Sequence, residues 1–197
     1  MEPPDLLALD LQAVRTRFRS HEPDVVDARR RRRDWQAATA LVLVPGDTSL
    51  ELAVIQRTER PGDRWSGQMA LPGGKRDTAD ADLAATARRE THEEIGVTLG
   101  EPLGRLDDHR SRSRPGTVAC FVFGLRERPV LRPQATEVAA ASWLPLDALV
   151  DPDRSTHLRY AGMRFPGIAH DGQVIWGLTL GTLRNFLAVF GRQWPGD

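Results

Sequence analysis

Leu6, Leu7, Leu9, Leu11, Val14 and Phe18 recur with a roughly helical period and predict one amphipathic helix near the start of the chain. The pattern then changes. ATALVLV and LELAVIQR are rich in β-branched and aliphatic residues and flank the turn cluster PGDTS, which predicts a hairpin over Ala38–Arg57. RTERPGDRWSG follows as a polar loop, and QMALPGG as a short strand ending in two glycines. After the two glycines the spacing returns to a helix. Asp80 or Asp82 is placed to cap its start, and Gly96 stands where a helix end wants a left-handed residue. PLGRLDDH, TVACFVFGLRE and VAAASWLPL predict further strands, LDALV a helical turn, HLRYA and QVIWG two more strands, and LTLGTLRNFLAVFG a closing helix. Strands before and after one central helix, with another helix at the end, predict a mixed α/β domain with helices on both sides of a sheet.

Composition narrows the field without choosing a function. The 197 residues suit one domain, and 27 basic residues balance 27 acidic ones. That neutrality argues against a protein that coats a nucleic-acid polymer, so the run Arg29–Arg33 reads as a solvated connection. The longest apolar run is about nine residues, near AATALVLVP, too short for a membrane span. MEPPDLLALDLQ carries acid where a secretory signal carries base, and the single Cys120 has no partner for an internal disulfide; both lead us to expect a cytoplasmic protein. Lys75 is the only lysine among the 27 basic residues.

That lysine lies in GGKRDTADADLAATARRETHEEIG, Gly73 to Gly96, where the chemistry concentrates. Ala84, Ala87, Thr91 and Ile95 form one stripe of the predicted helix, small enough to pack closely on a sheet. Glu90, Glu93 and Glu94 fall on a neighbouring face, where like charges three and four residues apart repel, and Arg89 precedes Glu93 by four positions and can pair with it. A helix used only for packing has no need of such a cluster. Hard divalent cations take oxygen ligands and commonly bridge to substrate phosphates, and three carboxylates beside a glycine carbonyl supply such ligands. Cysteine and histidine pairs at zinc spacing are absent.

The stretch resembles the Nudix box, whose pattern runs Gly, five residues, Glu, seven residues, Arg-Glu, an apolar residue, any residue, Glu-Glu, any residue, Gly, apolar. Gly74, Arg89, Glu90, Glu93, Glu94, Gly96 and Val97 match it. Gly74 to Arg89 is one residue longer than the pattern, Asp80 stands at the first glutamate, and Thr91 replaces the apolar residue. GGKRDTADAD and the late VIWGLTLGTLRNFL are similar to the coenzyme A diphosphatase branch of that family. AVIQRTERPGDRWSGQMALPGG keeps Arg57, Gly67 and Pro-Gly-Gly of that branch's upstream signature, with different arginine spacing.

The resemblance covers roughly Trp35 to Phe190. It implies an N-terminal helical extension over 1–34 and a Nudix domain over 35–197, an α/β/α sandwich with a mixed sheet and a catalytic loop-helix-loop. It also implies hydrolysis of a diphosphate linked to a nucleoside, most of all coenzyme A, with nucleoside triphosphates (including oxidised ones) or ADP-ribose as the alternative; a fold retained only for binding fits the intact Arg-Glu and Glu-Glu pairs less well. The partner is then a small diphosphate, and the protein a monomer or homodimer. Magnesium or manganese would be held by Glu90 and Glu94, with Glu93 and the Gly73 carbonyl as further ligands. Glu93 is the first candidate for general base and Glu137 the second, while Arg89 organises the carboxylates. Arg57, Lys75 and Gly74 would meet the substrate's phosphates. Trp65, Trp143 and Trp176 read as core before they read as base-stacking rings, His92 as solvated and His109 as part of a flexible basic loop.

Overall fold

The computed structural model describes residues 5–26, 35–63, 65–110 and 116–196; the arginine run at 29–33 lies outside them. The described residues form three α-helices and eleven strands. The apolar residues of the long strand β1 (Trp35–Pro45) divide by alternation. Ala38, Ala40 and Val42 face one layer of core, and Leu41 and Leu43 face the other. Strand β1 makes an antiparallel hairpin with β2 (Leu50–Arg57) and a parallel ladder with β7 (Gly116–Gly124) that runs unbroken from Trp35↔Gly116 to Leu43↔Gly124. Short strands β3 (Met69–Ala70), β4 (Gly73–Lys75), β5 (Gly104–Arg105) and β6 (His109–Arg110), with β8 (Val138–Pro145), complete a mixed eight-stranded sheet. Strands β9 (Ser155–Tyr160), β10 (Met163–His170) and β11 (Gln173–Trp176) form a separate antiparallel sheet.

The helices cover both faces of the large sheet. Helix α2 (Leu83–Ile95) packs Ala87 and Ile95 against Ala38, Ala40, Ala53, Ile55 and Phe123. Its small residues against the alanines of β1 bring helix and sheet together, as the stripe of small residues predicted. Helices α1 (Leu11–Arg19) and α3 (Gly177–Val189) share the opposite core with Leu41, Leu43, Cys120 and Val122. Phe18 of α1 stacks on Phe186 and meets Phe190 edge-on, each at 6.3 Å between ring centres. The single N-terminal helix expected from Leu6 onward is two pieces. Asp5 caps a 3-10 turn over Leu6–Ala8 by accepting from the Leu7 N–H, and Asp10 starts α1 afresh by accepting from the Ala13 N–H.

No helix among the described residues is long and apolar enough to cross a membrane.

Candidate active site

The PGG segment reaches the C-terminal half of α2, at Glu90 and Glu94, because β4 is short and held on β1, with Ala38 opposite Gly74 and Thr39 opposite Gly73. Gly73 is sterically required, and Gly74 makes room for a side-chain end. A Cβ on Gly73, whose φ is +152°, would stand on the Ala38 carbonyl oxygen and 2.6 Å from Thr39 Cα. A Cβ on Gly74 would lie 2.5 Å from both carboxylate oxygens of Glu90. Asp82, the second of the two predicted caps, starts α2 by accepting from the Ala85 N–H at 2.7 Å, and Gly96 ends it at φ +69°.

Asp80, the other predicted cap, binds a guanidinium instead. Its carboxylate takes Arg89 Nε and Nη2 at 3.0 Å each, together with the Asp77 N–H and the Thr86 hydroxyl. The Arg89 bonds hold the Asp80 carboxyl well below the usual carboxylate range. Arg89 Nη1 donates to Glu90 Oε1 and Glu93 Oε2 at 2.9 Å each, and Nη2 also donates to the Lys75 carbonyl at 3.1 Å. All five guanidinium N–H groups are thereby used.

Glu94 behaves differently. It is 2% exposed, and its Oε2 accepts the Gly73 N–H at 2.8 Å. Burial pushes its carboxyl up to about 7 against the pull of the Gly73 N–H, with repulsion from Glu90 and Glu137 adding to the rise and Arg57 opposing it. Glu90 is raised in the same direction, first by burial, against its bond to Arg89 and with repulsion from Glu93 and Glu137. These pairings bring Glu137, just before β8, and Arg57, at the end of β2, into the field of the α2 carboxylates. Glu137 is tied by its backbone, its carbonyl accepting the Thr58 N–H at 2.9 Å, while its half-exposed carboxylate lies 3.8 Å from Arg60 Nη2.

The remaining predicted residues are placed as follows. The Lys75 side chain is exposed beside this cluster, and Arg57 Nη2 donates to Asp63 Oδ2 at 3.0 Å. Of the tryptophans read as core, Trp176 is buried and Trp143 half-buried, but Trp65 is 55% exposed on the loop after β2. His92 faces solvent as expected. His109 is not in a loop: it pairs with Val118 in β6, and its Nε2 is buried without a partner among the described residues. Arg60 and Asp63, which reach Glu137 and Arg57, are functional neighbours that the sequence did not single out; a proline-glycine turn brings them back on β2, and no periodicity marks such a turn.

The α2 cluster is not a preformed cage. No three acidic, histidine or cysteine side chains among the described residues are gathered to hold a metal. Its donors nonetheless suit a hard cation: two carboxylates, one buried and one partly buried, that burial drives toward protonation, packed against the backbone of two glycines.

The family model described as NUDIX domain matches residues 34–162. The chain belongs to the Nudix family. An uncharacterized protein of Schizosaccharomyces pombe is 41% identical over 139 residues, covering 66% of this chain and 41% of that protein. The human mitochondrial coenzyme A diphosphatase NUDT8 is 33% identical over 158 residues, covering 72% of this chain and 65% of that protein. The match thus spans less than two thirds of either relative's length. Among solved structures, a MutT/nudix family protein from Enterococcus faecalis superposes with a TM-score of 0.52 at 17% identity, over 92% of this chain and 68% of that one, a likeness of Nudix fold.

Proposed function

We propose that this Nudix protein is a divalent-metal-dependent hydrolase of nucleoside diphosphate derivatives, with coenzyme A or its derivatives as substrate. The observation that carries the reading is the buried, charge-strained Glu94 set against the Gly73 N–H and beside Glu90, in a cluster organised by Arg89. Magnesium or manganese, held by Glu90 and Glu94 with Glu93 and the Gly73 carbonyl as further oxygen donors, would supply charge neutralisation for a diphosphate and acidity for water. Arg89 cannot serve as a free phosphate ligand, since its donors are all engaged; its part is to fix Glu90 and Glu93. Glu137 takes the proton of the attacking water. It is the freer of the two base candidates, because Glu93 is tied to Arg89 at 2.9 Å whereas Arg60, the ion-pair partner of Glu137 among the described residues, lies 3.8 Å away. Lys75 and the Gly74 backbone flank the diphosphate, and Arg57 meets the 3′-phosphate that distinguishes coenzyme A from its dephosphorylated form.

Support for coenzyme A comes from the human relative's name and from the GGKRDTADAD and Arg57 resemblances. The experiment is turnover of coenzyme A, dephospho-coenzyme A, ADP-ribose and nucleoside triphosphates with each metal, products identified by mass. Coenzyme A should yield 3′,5′-ADP and 4′-phosphopantetheine. Arg57→Ala should cost coenzyme A about 1.5–3 kcal/mol in kcat/KM, the scale of a charge-assisted hydrogen bond, and barely affect the dephosphorylated form. Equal losses on both would make Arg57 structural, and turnover of triphosphates alone would refute the coenzyme A reading.

A further inference from the structure

The loop between β2 and β3 carries Arg60 and Asp63, and the Asp63 carboxylate lies between Arg60 and Arg57 at the end of β2. Arg57 gives Asp63 one hydrogen bond, Nη2 to Oδ2 at 3.0 Å, instead of the paired contact that a guanidinium and a carboxylate can make. Its Nε is buried without a partner among the described residues. Asp63 is held from its other side by the loop itself, Oδ1 accepting the Trp65 N–H at 2.9 Å, and it also lies in the field of Arg60. Arg60 in turn donates to the Thr136 carbonyl and faces Glu137. The loop therefore latches to the segment that carries Glu137, while its own carboxylate sits on Arg57, a cation whose charge acts on Glu94.

We propose that Asp63 is a resident counter-anion: it occupies the phosphate-binding edge of Arg57 in the free protein and is displaced by a phosphate group of the substrate. The inference rests on the reading of Arg57 as a phosphate ligand. Asp63 then sets specificity. A ligand gains Arg57 only if its charge outcompetes a carboxylate already in place, so doubly charged phosphates are favoured over singly charged groups. The pair is partly exposed, with side-chain accessibilities of 32% and 26%, which keeps the competition modest and the exchange reversible.

Asp63→Asn tests this, because the amide oxygen can still accept the Trp65 N–H while the charge is lost. Binding of 3′,5′-ADP with magnesium is measured by calorimetry for the wild type, Asp63→Asn, Arg57→Ala and the double variant. Asp63→Asn should tighten binding by about two- to fivefold, the scale of a partly exposed ion pair, and the gain should vanish in the Arg57→Ala background. Asp63→Ser, which keeps a turn-forming oxygen, should behave alike, and melting curves report the fold of every variant. Unchanged or weaker binding would mean that Asp63 merely holds Arg57 in place, and an equal gain without Arg57 would reduce it to a general charge effect; either overturns the proposal. ADP run through the same cycle separates the two readings: a gain for ADP as large as for 3′,5′-ADP keeps the displaced carboxylate and removes the 3′-phosphate from Arg57.

Discussion

Glu94 is the residue on which the proposed chemistry and the stability of this chain meet. Its carboxyl sits at about 7 in the folded protein because it is buried, against an ordinary value of 4.5. A raised acid means that the folded state holds a proton that the unfolded state has released, so without metal stability falls as pH rises from about 4.5 to 7 and is flat above. The difference amounts to roughly 3 kcal/mol, as an order of magnitude. Glu94→Gln should therefore melt higher than the wild type at pH 8 in chelator, lose that advantage at pH 5, gain little from added metal, and turn over slower by orders of magnitude. Glu137→Gln should lose turnover too, by about 10²–10⁴-fold, yet keep most of its response to metal. Melting curves at both pH values with and without magnesium separate the two, and a Glu94→Gln protein that still gained fully from metal would remove Glu94 from the ligand set. Residues on one helix were legible in the sequence, because the helical period alone brings Glu93 to Arg89 and sets Glu94 beside Glu90. Their distinct states were not legible, since burial of Glu94 depends on the depth at which α2 lies on β1.

At the level of elements the two glycines of the PGG segment separate fold from site. Gly73→Ala sets a Cβ against backbone at φ +152° and should cost folding stability outright, whereas Gly74→Ala meets the movable end of the Glu90 side chain. We expect Gly74→Ala to fold, with a melting temperature near that of the wild type in chelator, and to need about tenfold more metal for half-maximal stabilisation. Titrating the melting temperature with magnesium checks this; wild-type metal dependence would show that Glu90 has room to move. The hairpin, α2 with its cap at Asp82, the helical turn at Leu146 and the closing helix were readable, because each carries its own period and its own stops. Strand β10 was not. It carries Pro166 and Gly167 within a half-exposed run, and only its ladders with β9 and β11 make it a strand. The Arg60–Glu137 and Arg57–Asp63 pairs were hidden for a related reason: a loop with no period carries Arg60 and Asp63.

Across the whole molecule, the parallel ladder between β1 and β7 joins residues about eighty positions apart, and α2 lies in the intervening chain. Such pairings are slow to form because loop closure is paid for before the contacts reward it. Glu94 can receive the Gly73 N–H only after β4 has docked on β1 and α2 has settled over both. We therefore expect the acidic centre to be assembled late in folding, after the strands have been arranged. A ligand that recognises only that finished centre stabilises the native state without touching the transition state. Divalent metal should accordingly leave the refolding rate constant in dilute denaturant unchanged and slow unfolding by the whole of its stabilising effect, so that stopped-flow chevrons with magnesium and with chelator share one folding arm and part on the other.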